Sequence, residues 1–169
     1  MVASTIKTDQ KKLVIGWFSF TCCEDSTILF TELLNDNLDT WKKLVEFRHL
    51  KALKTNNSME GLDVAFIEGA ISSESQAEEV KKIRENAKYV VAIGACACTG
   101  MPSASRNQFT DKNMTDRIKW YFETFDYSQK VRKLDEVIQI DDRVDGCPMN
   151  TKKFIEMLTK YLTKFEIIK

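Results

Sequence analysis

Short apolar runs alternate with amphipathic segments along the chain, and this alternation restricts the fold more than any other feature of the sequence. Each run has the length of a strand rather than that of a buried helix. Because strands that alternate with helices of about 10–15 residues imply a parallel sheet covered on both faces, the sequence predicts an α/β fold. The predicted strands are residues 12–16, 44–50, 62–67, 89–93 and 136–140.

The segments between the strands have helical spacing. The first helix is predicted from residue 25 or 26 to residue 35, a second follows a capping box of Ser73 and Gln76, and Asn150 caps the last. Residues 110–125 carry an aromatic helical face that suits a core or an interface. The residues expected on buried helix faces are Ile28, Leu29, Phe30 and Leu33 in the first helix, and Met114, Ile118, Tyr121, Phe122 and Phe125 in 110–125.

The length of 169 residues fits a single domain, predicted as residues 12–169 after a flexible N-terminal arm of residues 1–11. Lys and Arg together number 25, as do Asp and Glu, and this balance argues against a nucleic-acid binder. The longest apolar run, around residues 89–97, is shorter than the roughly 20 residues that span a bilayer. Because the N-terminus also lacks an export signal, the sequence predicts a cytoplasmic protein without a transmembrane segment.

The cysteines follow the carboxyl ends of predicted strands: Cys22 and Cys23 after the first, Cys96 and Cys98 after the fourth, and Cys147 after the fifth. Those strand ends share one edge of a parallel sheet, which is where ligands bind in such folds. Because disulfides are rare in a reducing compartment, metal binding is favoured over the alternative of inert buried thiols. The lone His49 has no second histidine near it and is interpreted as a strand or surface residue.

The spacing of the cysteines favours an iron–sulfur cluster over other centres. Structural zinc sites usually draw on Cys-x-x-Cys pairs, which this chain lacks, and a disulfide between adjacent Cys22 and Cys23 would be strained. Residues 94–100 contain glycines but no Walker lysine follows them, and Glu24 and Asp25 would repel the phosphate of FMN. Four thiolates from three separate loops suit an iron–sulfur cluster.

Four strand-end loops, taken together, resemble those of a known family: residues 17–24 (WFSFTCCE), 67–71 (IEGAI), 94–100 (GACACTG) and 146–148 (GCP). They are similar to loops of the small, cluster-bearing subunit of nickel–iron hydrogenases and of the homologous 20 kDa subunit of respiratory complex I. The resemblance runs from residue 13 to the last predicted helix. It implies a flavodoxin-like fold with one proximal 4Fe–4S cluster that faces a large subunit carrying the nickel–iron site.

The resemblance also implies a set of cluster ligands. Cys96 matches the family's Gly-x-Cys ligand, and Cys147 matches its Gly-Cys-Pro ligand. The first loop departs from the hydrogenase Cys-x-x-Cys pattern, because aligning Cys23 with either cysteine of that pattern places Phe20 or Ser26 at the other. Adjacent Cys22 is expected to supply the remaining thiolate, as in the tandem cysteines of the complex I branch. The competing possibility is a cluster with one non-cysteine or open site, in which Cys23 acts with either Ser26 or Cys98.

Three further residues are candidates beside the cluster. Glu68 matches the glutamate of the family's Glu-Gly loop, where it either relays protons and lowers the cluster potential or orders the loop through backbone hydrogen bonds. Cys98 is either a spare ligand or a packed thiol. Arg106 either lies near the cluster and the large subunit or is a solvated surface residue. Asp141 and Asp142 are interpreted as solvated turn residues.

The expected function is that of an electron-transfer subunit of a soluble, cytoplasmic nickel–iron hydrogenase, an oxidoreductase in which this chain itself does no bond chemistry. Its expected partners are the large subunit and a flavin- or ferredoxin-type electron-transfer subunit, so Trp17, Phe18 and Met149 are predicted to be exposed at the loop edge. One alternative is the equivalent subunit of a complex I-like or energy-converting membrane oxidoreductase. Another is a stand-alone iron–sulfur regulatory or scaffold protein.

Overall fold

A parallel sheet of five strands forms the centre of the protein in the computed structural model, which describes residues 11–109, 112 and 114–169. The strands are β1 (Leu13–Ser19), β2 (Val45–Leu50), β3 (Leu62–Glu68), β4 (Ala87–Ile93) and β5 (Asp142–Val144). The helices are α1 (Asp25–Leu44), α2 (Glu74–Asn86), α3 (Gly94–Thr99), α4 (Asp116–Thr124) and α5 (Thr151–Lys164), with short 3-10 helices at Ser103–Gln108 and Leu134–Glu136. The strand order β2-β1-β3-β4-β5 is that of flavodoxin-like sheets. The predicted α/β, flavodoxin-like fold is therefore confirmed.

Helices cover both faces of the sheet, as the sequence predicts. On one face, the ring of Phe154 in α5 lies with its centroid 5.4 Å from Phe66 of β3 and 5.7 Å from Phe30 of α1. On the other face, Val80 and Ile83 of α2 pack in a second apolar cluster with the alternate residues of the strands. Every residue of the central strand β3 is buried, because this strand has a neighbour on each side and helices on both faces.

The apolar and aromatic residues predicted to be exposed at the loop edge are instead part of the two cores. Trp17 and Phe18 are each 3% exposed and Met149 is 2% exposed. Trp17 stacks on Phe30 with ring centroids 4.2 Å apart, and its Nε1 donates a hydrogen bond to Thr27 Oγ1 at 2.8 Å. The prediction was wrong because strand alternation directs Trp17 and Phe18 into opposite faces of the sheet rather than toward its edge.

The last strand lies later in the chain than the sequence predicts. The predicted strand 136–140 is replaced by the 3-10 helix Leu134–Glu136 and an irregular segment, and β5 begins at Asp142. Asp142 accepts a hydrogen bond from the Tyr161 hydroxyl at 2.6 Å, and Asp141 accepts one from the Val90 backbone N–H at 2.7 Å. These contacts place the strand at residues 142–144. Asp142 is therefore a half-buried strand residue and not a solvated turn residue, whereas Asp141 lies at an exposed bend, as predicted.

Two helices differ from their predicted extents. Helix α1 continues to Leu44 rather than residue 35, and Ile28 is 55% exposed although it was expected on the buried side with Phe30. Helix α4 begins only at Asp116, and it has no buried residue, so its aromatic face is not part of the core. Thr110, the predicted start of that helix, lies outside the described residues.

The predicted caps of α2 and α5 are confirmed, but the predicted cap of the first helix, Asp25 or Ser26, is wrong, because Glu24 precedes α1 and its side chain makes no cap hydrogen bond. Asn150 Oδ1 accepts a hydrogen bond from Lys153 N at 2.9 Å at the start of α5. Ser73 Oγ accepts from Gln76 N at 3.2 Å, but the Gln76 side chain accepts from Ser72 N rather than completing the box at Ser73.

The predicted flexible arm of residues 1–11 lies, apart from Lys11, outside the described residues. Within the described part of the chain, no helix is long and apolar enough to cross a bilayer.

Candidate metal centre

Loops from three strands meet at the carboxyl edge of the sheet and enclose one small cavity. The loop after β1 contributes Cys22 and Cys23, the first turn of α3 after β4 contributes Cys96, and the loop after β5 contributes Cys147. Glu68, at the end of β3, and Ser26, in the first turn of α1, also line the cavity. The structure thus brings together the cysteines that were predicted as cluster ligands.

The loop after β1 is held against the end of β3 by backbone pairing. Thr21 N donates to Ala70 O at 3.1 Å, and Ala70 N donates to Thr21 O at 2.9 Å. The chains approach so closely that a Cβ on Gly69, whose φ is +96°, would lie 2.8 Å from the Phe20 carbonyl carbon. Glycine at position 69 therefore sets the position of Cys22 relative to Glu68.

The Cys96 and Cys147 loops are joined in a similar way. Ala95 N donates to Gly146 O at 2.7 Å, which places the start of α3 beside the Gly-Cys-Pro turn. Gly146 has a φ of +125°, and a Cβ there would lie 2.4 Å from Pro148 O. Because only glycine fits this turn, the sequence motif has a steric reason as well as a chemical one.

The four thiols differ in their exposure. Cys96 is 7% exposed and Cys22 is half-buried, whereas Cys23 and Cys147 lie at the surface. Burial and the nearby Glu68 carboxylate raise the pKa of the Cys22 thiol to about 12. A thiolate at this position therefore needs a nearby positive charge, such as that of bound iron, to be stable at neutral pH.

Glu68 binds the first turn of α1. Its Oε1 accepts from Ser26 N at 3.1 Å, and its Oε2 accepts from Thr27 N at 3.0 Å and from Thr27 Oγ1 at 2.7 Å. Glu68 is 3% exposed. Its carboxylate accepts hydrogen bonds from N–H groups in the first turn of α1 that have no partner within the helix, and its negative charge interacts favourably with the positive end of the helix dipole. These contacts support the loop-ordering alternative for Glu68, and the same side chain still lines the cysteine cavity.

Replacing Glu68 by alanine is therefore expected to lower the free energy of unfolding by about 1–3 kcal/mol, because buried donors at the start of α1 lose their acceptor. Chemical denaturation measures the effect. Glu74→Ala is the matched control, since Glu74 is an exposed carboxylate in the first turn of α2. Equal losses of stability in the two variants would contradict the capping role.

Cys98 and Arg106 do not line the cavity. Cys98 is 2% exposed, its Sγ lies 3.6 Å from Ala92 O, and burial together with Asp145 raises the pKa of its thiol to about 12. This placement matches the packed-thiol alternative. Arg106 donates to Ser72 O at 2.9 Å and its guanidinium lies 4.5 Å from the ring centre of Tyr127, so it is not a solvated surface residue.

Two features near the cysteines were not found from the sequence. Ser103 Oγ lies 3.3 Å from Cys96 Sγ, and Ser26 Oγ accepts a hydrogen bond from Met149 N at 3.2 Å, which ties α1 to the Cys147 loop. No motif marks Ser103, and the sequence marks Ser26 only as the residue that stands at a cysteine position of the hydrogenase pattern. His49 is a buried strand residue, with Nδ1 2.9 Å from Trp17 O and its ring stacked on Phe18.

The donor set of the cavity fits a 4Fe–4S cluster. Among the residues that the structure describes, no three His, Cys, Asp or Glu side chains are grouped to hold a single metal ion. A 4Fe–4S cubane does not need several ligands on one metal ion, because each of its four irons binds one thiolate. The cavity is lined by four thiols. The Cys22, Cys23, Cys96 and Cys147 side chains would hold such a cluster.

Comparison with known families gives one match that covers most of the chain. Residues 22–161 match the family model described as NADH ubiquinone oxidoreductase, 20 Kd subunit. This match includes all five cysteines and extends from the first cysteine into α5.

Curated relatives that resemble the chain are hydrogenase subunits. One subunit of the F420-non-reducing hydrogenase of Methanothermobacter thermautotrophicus is 30% identical over 119 residues, which is 63% of this chain and 39% of that protein. The delta subunit of the NAD-reducing hydrogenase HoxS of Cupriavidus necator is 26% identical over 56% of this chain and 53% of its own length. The delta subunit of sulfhydrogenase 2 of Pyrococcus furiosus is 23% identical over 85% of this chain and 60% of its own length. The matched segments thus span only about two to three fifths of these relatives.

Solved structures share the fold. A chain in the crystal structure of an NAD+-reducing [NiFe]-hydrogenase in the H2-reduced state superposes with a TM-score of 0.78 at 22% identity, covering 91% of this chain and 93% of that one. A chain of the [NiFeSe] hydrogenase from Desulfovibrio vulgaris Hildenborough gives a TM-score of 0.60 at 13% identity, covering 88% of this chain and 59% of its own.

Proposed function

Because the chain belongs to the family of the 20 kDa subunit of NADH ubiquinone oxidoreductase, we propose that it is an electron-transfer subunit of a nickel–iron hydrogenase and holds one 4Fe–4S cluster. The observation that carries this proposal is the single cavity lined by Cys22, Cys23, Cys96 and Cys147, which come from three different strand ends. The family match and the hydrogenase relatives support the class of protein.

The cluster would supply one-electron transfer, and the residues of this chain would hold it and set its surroundings. Cys96 anchors the buried side of the cavity, and Glu68 fixes the helix that follows the tandem cysteines. Cys23 and Cys147 are exposed, so the cavity opens toward the surface that a large subunit with a nickel–iron site would cover. A flavin- or ferredoxin-type subunit would exchange electrons with the complex of this chain and the large subunit. The chain alone would not be catalytic.

An equivalent subunit of a complex I-like or energy-converting membrane oxidoreductase is the second candidate. The description of the matching family favours it, whereas the names of the curated relatives favour a hydrogenase. The matches span only 39% to 60% of the length of those relatives, so their activities and partners are assigned to this chain only as part of the proposal. The cytoplasmic location and the stand-alone regulatory alternative also stay predictions.

Anaerobic purification of the tagged chain from its native host, followed by nickel, iron and sulfide analysis of the complex, tests the proposal. We expect a stoichiometric large subunit that contains nickel. Membrane subunits without nickel would favour the complex I-like candidate instead. A chain that carries iron and sulfide but has no partner would contradict both and favour the regulatory protein.

A further inference from the structure

Ser103 is brought back to the cluster cavity by the turn that follows α3. Gly100 has a φ of +83°, its N–H donates to Cys96 O at 3.0 Å, and its carbonyl accepts from Ala104 N at 2.7 Å. This turn reverses the chain, so that the first residue of the 3-10 helix Ser103–Gln108 lies over the start of α3. The Ser103 hydroxyl oxygen is 3.3 Å from Cys96 Sγ and 3.1 Å from Thr21 O.

The two acceptors near the Ser103 hydroxyl are not equivalent. Thr21 O accepts a hydrogen bond from Ala70 N at 2.9 Å, and its second lone pair competes with the Cys96 sulfur for the Ser103 proton. A sulfur that ligates iron carries no proton and can act only as an acceptor, and its negative charge strengthens the bond that it receives. A single hydroxyl proton on Ser103 is therefore directed to Cys96 when that residue is a ligand.

The Cys96 side chain is buried, with apolar neighbours outside the cavity and with Cys22 and Glu68 lining the cavity beside it. Cys96 is 7% exposed and packs with Ala70 and Val131, and Ala104 lies at the edge of this group of apolar side chains. A hydrogen bond is electrostatically stronger in such a setting than in water. In the part of the chain that the structure describes, Ser103 is the one side chain that donates a hydrogen bond to a sulfur lining the cavity.

We propose that Ser103 donates a hydrogen bond to the Cys96 ligand sulfur and thereby raises the reduction potential of the cluster, an inference that rests on the proposed function. The donor withdraws electron density from the sulfur, so it stabilises the more negative, reduced cluster more than the oxidised one. The serine acts on the cluster through Cys96 and is a positioning and tuning residue, not a ligand.

The test is a redox titration of the purified protein or complex, followed by electron paramagnetic resonance of the reduced cluster. Ser103→Ala is expected to shift the midpoint potential to more negative values while the iron content per chain stays unchanged. Ser105→Ala is the matched control, because Ser105 lies in the same 3-10 helix and its hydroxyl donates to Pro102 O at 2.7 Å instead. Its potential should equal that of the unsubstituted protein.

A second pair of variants covers the case in which alanine disturbs the loop. Ser103→Thr keeps a hydroxyl, and Ser103→Val has nearly the shape of the threonine variant without the hydroxyl. Only the valine variant should therefore have a more negative midpoint potential than the unsubstituted protein. If Ser103→Ala had the potential of the unsubstituted protein and Ser103→Val that of Ser103→Thr, with the cluster present in all of them, this inference would be overturned and the proposed function would stay intact. Absence of iron and sulfide from the unsubstituted protein would instead overturn the proposed function, and this inference with it.

Discussion

Replacing Cys96 or Cys147 by alanine is expected to abolish cluster assembly, so that little iron remains in a protein that otherwise binds about four irons per chain. Each replacement removes a thiolate for which the cavity offers no other sulfur at the same position. Cys22→Ala should be about as damaging, because the first loop has only the tandem cysteines to supply two ligands. Iron content and the visible absorption of anaerobically prepared variants measure the effect.

Cys98→Ala is the control for this series, and Ser26→Ala, which should also keep its iron, tests whether the serine is a ligand. Cys98 is buried among Ala92 and Val144 and does not line the cavity, so its replacement should leave the iron in place. Ser26 lines the cavity, but its hydroxyl ionises at a far higher pKa than a thiol and is a much poorer iron ligand. If Cys22→Ala kept its iron while Cys98→Ala lost it, the ligand assignment of the first loop would be wrong.

Phe154→Ala is expected to have the largest effect on folding, with a loss of about 3–5 kcal/mol in the free energy of unfolding. The Phe154 ring is fully buried at the centre of an aromatic cluster that joins α1, α5 and the sheet. Its centroid lies 5.4 Å from Phe66, 5.7 Å from Phe30 and 5.8 Å from Trp17. Truncation would leave a cavity between two helices and the sheet that neighbouring rings cannot fill.

Ile155→Ala provides the comparison, since Ile155 is the next residue of α5 and is 41% exposed. Denaturant unfolding of the two variants under the same conditions measures the difference. We expect a change well below about 1 kcal/mol for Ile155→Ala, because little apolar surface is lost to solvent there. Similar midpoints for the two variants would show that the aromatic cluster does not stabilise the fold as described.

The fold and the meeting of the cysteines were predictable for one physical reason. In a parallel sheet the carboxyl ends of the strands share an edge, so cysteines that follow β1, β4 and β5 must lie near one another. Cys147 lies at this edge as predicted, although β5 begins six residues later than the predicted strand, because the loop still leaves the sheet at the same end. The position of β5 depended on contacts of Asp142 with Tyr161 and Lys160, which are distant in sequence.

Other parts of the site could not be predicted, because they depend on side-chain partners rather than on pattern. Glu68 was recognised from its Glu-Gly loop, but its hydrogen bonds to Ser26 and Thr27 follow from the tertiary approach of β3 to α1. The position of Ser103 beside Cys96 depends on the turn at Gly100, and nothing in the local sequence indicates that Ser103 donates a hydrogen bond to a sulfur. The burial of Trp17 does not follow from the predicted strand 12–16, because β1 continues to Ser19 and places Trp17 within the strand.

Counting iron and inorganic sulfide per chain, in protein reconstituted anaerobically, is the most direct test of the claim that these loops hold one cluster. The account predicts about four irons and about four sulfides per chain, as expected for a single cubane on Cys22, Cys23, Cys96 and Cys147. A stoichiometry near eight irons, or a folded chain that binds none, would contradict it.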